Sequence, residues 1–208
     1  MTTIHLVRHG ETVWHSDARY AGSTDVALTE HGEQQARELV AWAQSAKIDH
    51  IVCSDLQRAV LTAAPSALAL GLEAQVDPRW REIDFGRAEG LSHEELAEHH
   101  AAEFAEFAAH PGHSPLMGGE PGEYGVERAA EALAEIVAER PDAVVLVVAH
   151  STLGRLLLCH LLGIPLDSYR TVFPFMHNGA VTTFTIDSAN FAGSGRLLGF
   201  NVPAVKKS

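Results

Sequence analysis

The chain has 208 residues, 46% apolar and 20% charged, which is enough for a sizeable core and excludes a disordered or fibrous class. Its formal charge of -12 sets it against nucleic acid and anionic membrane as partners, because the overall field repels both. An anionic substrate would therefore need a site that concentrates its own positive charge.

The length suits one domain spanning residues 1–208. Met1 to His5 shows no basic or long apolar leader, and the longest apolar run, Ala143 to Ala149, is far short of the ~20 residues of a membrane-spanning helix. The two cysteines, Cys53 and Cys159, lie in apolar segments and read as buried packing thiols, which fits a reducing, cytoplasmic setting.

In chain order, short strand-like runs alternate with helical stretches, the pattern of an α/β sheet. Ile4 to Val7 is a first strand. Thr29 then caps a helix with Ala36, Leu39, Val40 and Ala43 on one face. His50 to Cys53 is a second strand, followed by a helix from Leu56 to Leu70 that Pro65 should kink or shorten. Gln75 to Asp77 forms a brief third strand and Trp80 to Gly90 a loop. Residues 92–122, helical from Ser92 to Ala109 and then broken by Pro and Gly, form an excursion off the sheet and a candidate lid.

Glu123 to Arg140 is a further helix, stopped by Pro141. Ala143 to Ala149, an uninterrupted apolar strand, must be buried on both faces and so sits mid-sheet. Ser151 caps a helix to Leu162 that ends at Gly163 and Pro165. Val181 to Ile186 and Arg196 to Phe200 close the fold as a hairpin at one edge, which offers a surface for a homodimer. The expected architecture is a three-layer α/β/α sandwich with a mostly parallel central sheet and a small helical lid insertion.

In open α/β sheets ligands bind outside the carboxyl ends of the strands. Arg8 and His9 follow the first strand, Arg58 lies a helical turn beyond the second, and His150 follows the long central one. Taken singly, each could be a surface charge, a core histidine or a cap. Together they put four cationic or imidazole groups on one rim.

The segment Leu6-Val7-Arg8-His9-Gly10-Glu11-Thr12 resembles the signature of the histidine phosphatase superfamily, which includes the cofactor-dependent phosphoglycerate mutases. Further matches follow in order: Gly22 with Asp25, Leu28, Thr29 and Gly32; Ser54 to Ala59 with Thr62-Ala63; Glu82 with Phe85-Gly86 and Glu89-Gly90; Gly118-Gly119-Glu120; and Val148-Ala149-His150. The resemblance covers residues 4–186. It implies that His9 attacks phosphorus to give a phosphohistidine, that Arg8, Arg58 and His150 cradle the phosphate, and that Glu82 is the general acid, with Asp84 as its understudy. Imidazole suits the role, being largely neutral at pH 7 and able to leave again. Guanidinium forks pair with phosphoryl oxygens, and such donors are commonly worth ~3 to 4 kcal/mol each in other enzymes. A competing reading makes Glu82 an ion-pair partner of Arg79, Arg81 or Arg87.

Two positions depart from the family. His15 stands where asparagine is usual, and a retained phosphate contact there would add pH dependence between about 6 and 7. Ser151-Thr152 stands where glycine follows the second histidine, and Ser151 could offer its N–H and hydroxyl to the phosphate. The histidines of the excursion, His93, His99, His100, His110 and His113, lack the spacing of a metal site, and the chemistry requires neither metal nor cofactor. Arg19, Tyr20, Ser23 and Phe175, with the excursion, are the candidate contacts to the rest of the substrate.

The resemblance therefore implies a phosphoric monoester hydrolase of the histidine acid-type, acting on a small phosphorylated metabolite. A cofactor-dependent phosphomutase is the runner-up, disfavoured because mutases of the family tend to carry longer insertions. A non-catalytic phosphate-binding module is a third alternative.

Overall fold

The computed structural model describes residues 1–187 and 193–205. In chain order these form β1 (Thr2–Arg8), α1 (Glu30–Ser45), β2 (His50–Cys53), α2 (Gln57–Leu70), β3 (Ala74–Val76), α3 (His93–His99), α4 (Ala101–Ala109), α5 (Gly122–Glu139), β4 (Val144–Ala149), α6 (Ser151–Leu162), α7 (Tyr169–Val172), β5 (Ala180–Ile186) and β6 (Arg196–Pro203). The six strands make one sheet in the order β3-β2-β4-β1-β5-β6. β3, β2, β4 and β1 run parallel, and β5 and β6 add an antiparallel edge.

β4 lies between β2 and β1, as its unbroken apolar run requires. Successive side chains point to opposite faces. Val145, Val147 and Ala149 therefore join a buried cluster with α5 and α6, whereas Leu146 and Val148 join a second cluster with α1 and α2. These two cores on either side of the sheet are the three-layer α/β/α arrangement. Fully burying a residue such as Leu146 contributes roughly 1.5 to 3 kcal/mol.

α1 starts as expected, with the Thr29 side chain accepting from Gly32 N at 3.0 Å, and buries Ala36, Leu39 and Ala43; Val40 is only half-buried. Pro65 does not shorten α2, which continues to Leu70 and closes on Gly71 at φ 65°. The missing proline N–H frees the carbonyl of Leu61, and that residue faces solvent, where water can satisfy it. Ser151 is the first helical residue of α6 rather than its cap, a position that falls to His150. The stretch from Trp80 to Gly90 is not plain loop: it includes a 3-10 turn at Gly86–Ala88 and follows another at Pro78–Trp80.

The 92–122 excursion leaves the sheet but not the core. A capping box between Ser92 and Glu95 starts α3, and Leu96, Phe107, Leu116 and Met117 enter the same cluster as α5 and α6. No described helix is long and apolar enough to cross a membrane. Cys53 and Cys159 are both buried, and burial pushes each thiol up to about 11. Part of the expected edge hairpin, residues 188–192, lies outside the described residues.

Candidate active site

Parallel pairing of β1 with β4 sets Arg8 opposite Ala149, and His9 N donates to Ala149 O at 3.0 Å. The residues just past the two strands are thereby forced together: the His9 and His150 rings have centroids 5.2 Å apart. The loop after His9 turns against the start of α1 so closely that a Cβ on Gly10 would lie 2.4 Å from Gly32 O. Only glycine fits there.

His9 is 5% exposed, and its Nδ1 lies 2.7 Å from Gly10 O. A carbonyl only accepts, so Nδ1 carries the proton and Nε2 keeps the lone pair. Burial, followed by the charges of Arg58 and Arg8, holds this imidazole well below its ordinary pKa, which preserves the neutral form. His150 is fully buried and is pushed down for the same leading reason, burial, with Arg58 next.

Arg8 donates through Nη1 to Met176 O at 2.6 Å and through Nη2 to His15 Nε2 at 2.5 Å, and burial brings its pKa down to about 10. Arg58 is fully buried beneath the cleft, donating to Thr24 O at 2.8 Å and Gly22 O at 2.7 Å. Arg8 Nε, Arg58 Nε and both ring nitrogens of His150 have no hydrogen-bond partner among the described residues. Buried polar atoms of this kind are costly unless something satisfies them, and an oxyanion beside His9 could accept from the guanidinium N–H groups and from the one N–H of a neutral His150.

Glu82 is 6% exposed and sits against the first turn of α6. Its Oε2 accepts from Thr152 N at 2.9 Å; its Oε1 accepts from Leu153 N at 2.7 Å and from its own chain at Ile83 N, 3.0 Å. The ion-pair alternative is overturned: Arg79 pairs with Asp77 and Glu135, Arg81 with Asp55, and Arg87 with Glu103. Asp84 caps the Gly86 turn at 2.6 Å and is absent from the walls of the cleft.

Arg8, His9, His15, Glu82 and Ser151 line a single cleft of about 480 Å³. Four arginines, Arg8, Arg19, Arg155 and Arg170, face it against one carboxylate, Glu82, so the acidic chain does carry the local positive charge an anion needs. The model of the histidine phosphatase superfamily (branch 1) matches residues 4–194. The chain belongs to the histidine phosphatase superfamily.

Among its relatives, a probable phosphoglycerate mutase GpmB of Salmonella paratyphi A is 31% identical over 94% of this chain and 90% of its own. Phosphoserine phosphatase 1 of Hydrogenobacter thermophilus is 33% identical over 81% of this chain and 80% of its own. A mycobacterial glucosyl-3-phosphoglycerate phosphatase, solved in complex with VO3, superposes with a TM-score of 0.86 at 28% identity, covering 96% of this chain and 98% of that one.

Several candidates of this histidine phosphatase sit otherwise than expected. His15 lines the cleft, and its Nε2 accepts from Arg8 Nη2, while its Nδ1 lies 3.0 Å from Thr12 N and 2.8 Å from Thr12 Oγ1. Burial, with Arg8 next, brings the His15 pKa down to about 4, which removes the expected titration between about 6 and 7. Ser23 is held by Glu89, with N–O and O–O contacts of 2.8 and 3.1 Å, and does not line the cleft. Phe175 lies outside it, its ring tilted at 57° to that of His177; Pro174 lines that wall. Arg19 lines the cleft but is already paired with Glu95, while Tyr20 stacks on His93 at 4.9 Å. His93 is the one residue of the 92–122 excursion among the cleft walls.

Arg155, Arg170 and Asn178 were not read from the sequence. Arg155 was accessible to such a reading, as a lone cation four residues beyond Ser151 in an otherwise leucine-rich helix. Asn178, whose Nδ2 donates to His9 O at 2.9 Å, carries no comparable signal.

Proposed function

We propose that this chain hydrolyses a phosphomonoester of a small metabolite through a phosphohistidine at His9. The observation that carries the reading is the locked tautomer of His9, with Nδ1–H spent on Gly10 O and Nε2 basic, in the midst of Arg8, Arg58 and His150. The Nε2 lone pair forms the P–N bond as the P–O bond to the leaving group breaks, and Glu82 gives its proton to the departing alkoxide. Water then attacks phosphorus, Glu82 takes a proton from it, and the P–N bond breaks to restore neutral His9 and release phosphate. Arg8, Arg58, His150 and the N–H and hydroxyl of Ser151 hold the equatorial oxygens while charge spreads over them.

A nucleophile that stays neutral well below pH 6.5 also supports the acid-type reading, since it persists in mildly acidic solution. The relative named as a phosphoglycerate mutase keeps phosphoryl return to a second hydroxyl as the other reading. Rapid quench with 32P-labelled 4-nitrophenyl phosphate should trap an acid-labile phosphoprotein in wild type and none in His9→Ala, with one phosphate freed per nitrophenol. Nitrophenol without free phosphate would favour the mutase. Full turnover in His9→Ala would refute both.

A further inference from the structure

We propose that Arg155 and Arg170 form a second anion subsite, so that the leaving group of the phosphomonoester itself bears a carboxylate or a further phosphate. This deepens the hydrolase reading and rests on it for the location of the reacting phosphoryl group.

The arginines differ in where they spend their charge. Arg19, Arg37, Arg79, Arg81, Arg87 and Arg128 each pair with a carboxylate. Arg140 and Arg196 are exposed to water. The remaining four, Arg8, Arg58, Arg155 and Arg170, are wholly or partly buried and pair with no carboxylate among the described residues. Arg8 and Arg58 are accounted for by the phosphoryl group beside His9. The other two form no ion pair among the described residues, yet they line the same cleft.

Neutral groups hold both forks in place. Arg155 donates through Nε to Ser151 O at 3.1 Å and through Nη1 to Phe173 O and Pro174 O at 3.3 and 3.1 Å. Arg170 donates through Nε to the Tyr169 hydroxyl at 3.1 Å and through Nη2 to the Tyr20 hydroxyl at 3.3 Å. Both gather about one buried ring: the guanidinium carbons lie 4.8 and 5.7 Å from the Tyr169 centroid, and that of Arg170 also lies 4.7 Å from the Phe107 ring. Among the described residues, Arg155 Nη2 and Arg170 Nη1 make no hydrogen bond.

Aromatic faces and carbonyls compensate a desolvated cation in part, but two of them side by side repel and call for an anion. Glu82 acts on Arg155 from a distance but forms no ion pair with either arginine, its two oxygens being held by the N–H groups of Ile83, Thr152 and Leu153. Planar forks pair with oxyacid groups of either kind, carboxylate or phosphate.

The test compares 3-phosphoglycerate with glycerol 3-phosphate, which differ by one carboxylate, and adds glycerol 1,3-bisphosphate as a second-phosphate arm. Wild type should favour an anionic leaving group over glycerol 3-phosphate by about 10- to 100-fold in kcat/KM. Whichever of the two anionic probes leads identifies the group. In Arg155→Gln and in Arg170→Gln the ratio should fall towards one, through KM more than kcat. Calorimetric Kd ratios for the same three compounds on the His9→Ala protein give the comparison without turnover, and so survive failure of the hydrolase reading. Ratios near one in wild type and His9→Ala, or wild-type ratios kept by both arginine variants, would overturn the subsite.

Discussion

At the residue scale, the chemistry turns on which nitrogen of each histidine holds a proton. His9 donates through Nδ1 to Gly10 O and keeps Nε2 free, whereas the Nε2 of His15 is occupied by Arg8. Asparagine at position 15 would also offer Arg8 an acceptor, its carbonyl oxygen, so the substitution to histidine conserves the grip on Arg8 at the expense of an N–H for the substrate. Histidine-selective 15N NMR of the free protein should find His15 titrating at about 4 and His9 well below 6.5, with His9 in the Nδ1–H tautomer when neutral. A midpoint at 6 or above for either ring would contradict the buried geometry.

At the element scale, α6 and the segment carrying Glu82 hold each other. The helix has no side-chain cap of its own, and the N–H groups of Thr152 and Leu153 are satisfied by Glu82, 70 residues away for the first of them. One carboxylate thus closes a helix terminus, meets its positive dipole end and faces the cleft. Glu82→Ala should cost about 1 to 2 kcal/mol, as loss of a cap does, and lower Tm by roughly 2 to 8 °C. Glu82→Gln keeps one acceptor oxygen and should lose less stability, yet it has no proton to give. Equal activity losses with unequal Tm losses, followed by steady-state assay and calorimetry, would separate the two duties; a Tm unchanged in Glu82→Ala would deny the capping role.

At the scale of the whole molecule, burying neutral imidazoles ties stability to pH. His9 and His150 have folded pKa values well below the 6.5 of an unfolded histidine, with burial the leading cause in each. Below 6.5 the unfolded chain therefore binds more protons than the folded one. The stabilisation is complete above about pH 6.5 and declines as pH falls towards the folded values, by about 1.4 kcal/mol per pH unit for each histidine. Urea unfolding of wild type should show this decline between pH 7 and 5.5, and the slope should be shallower in His150→Gln. A stability constant over that interval would contradict the shifts.

The sequence alone determined the layered α/β class and the strand ends at which Arg8 and His9 line the cleft, with Arg58 and His150 buried close to His9 and absent from the cleft walls. Class and strand ends follow from local chemistry: an apolar run too long to be half-buried, glycines where two backbones touch, and polar residues placed just after strands. It also carried the family, because that pattern is ordered and spans most of the chain. What it could not contain is how each polar atom is spent. Arg58 on the carbonyls of Gly22 and Thr24, His15 turned to Arg8, Ser23 drawn to Glu89, and Arg155 beside Arg170 are pairings between groups that no local pattern joins. Such pairings are chosen only when the sheet, α6 and α7 close on one another, since hydrogen-bond capacity belongs to a residue but its partner belongs to the fold.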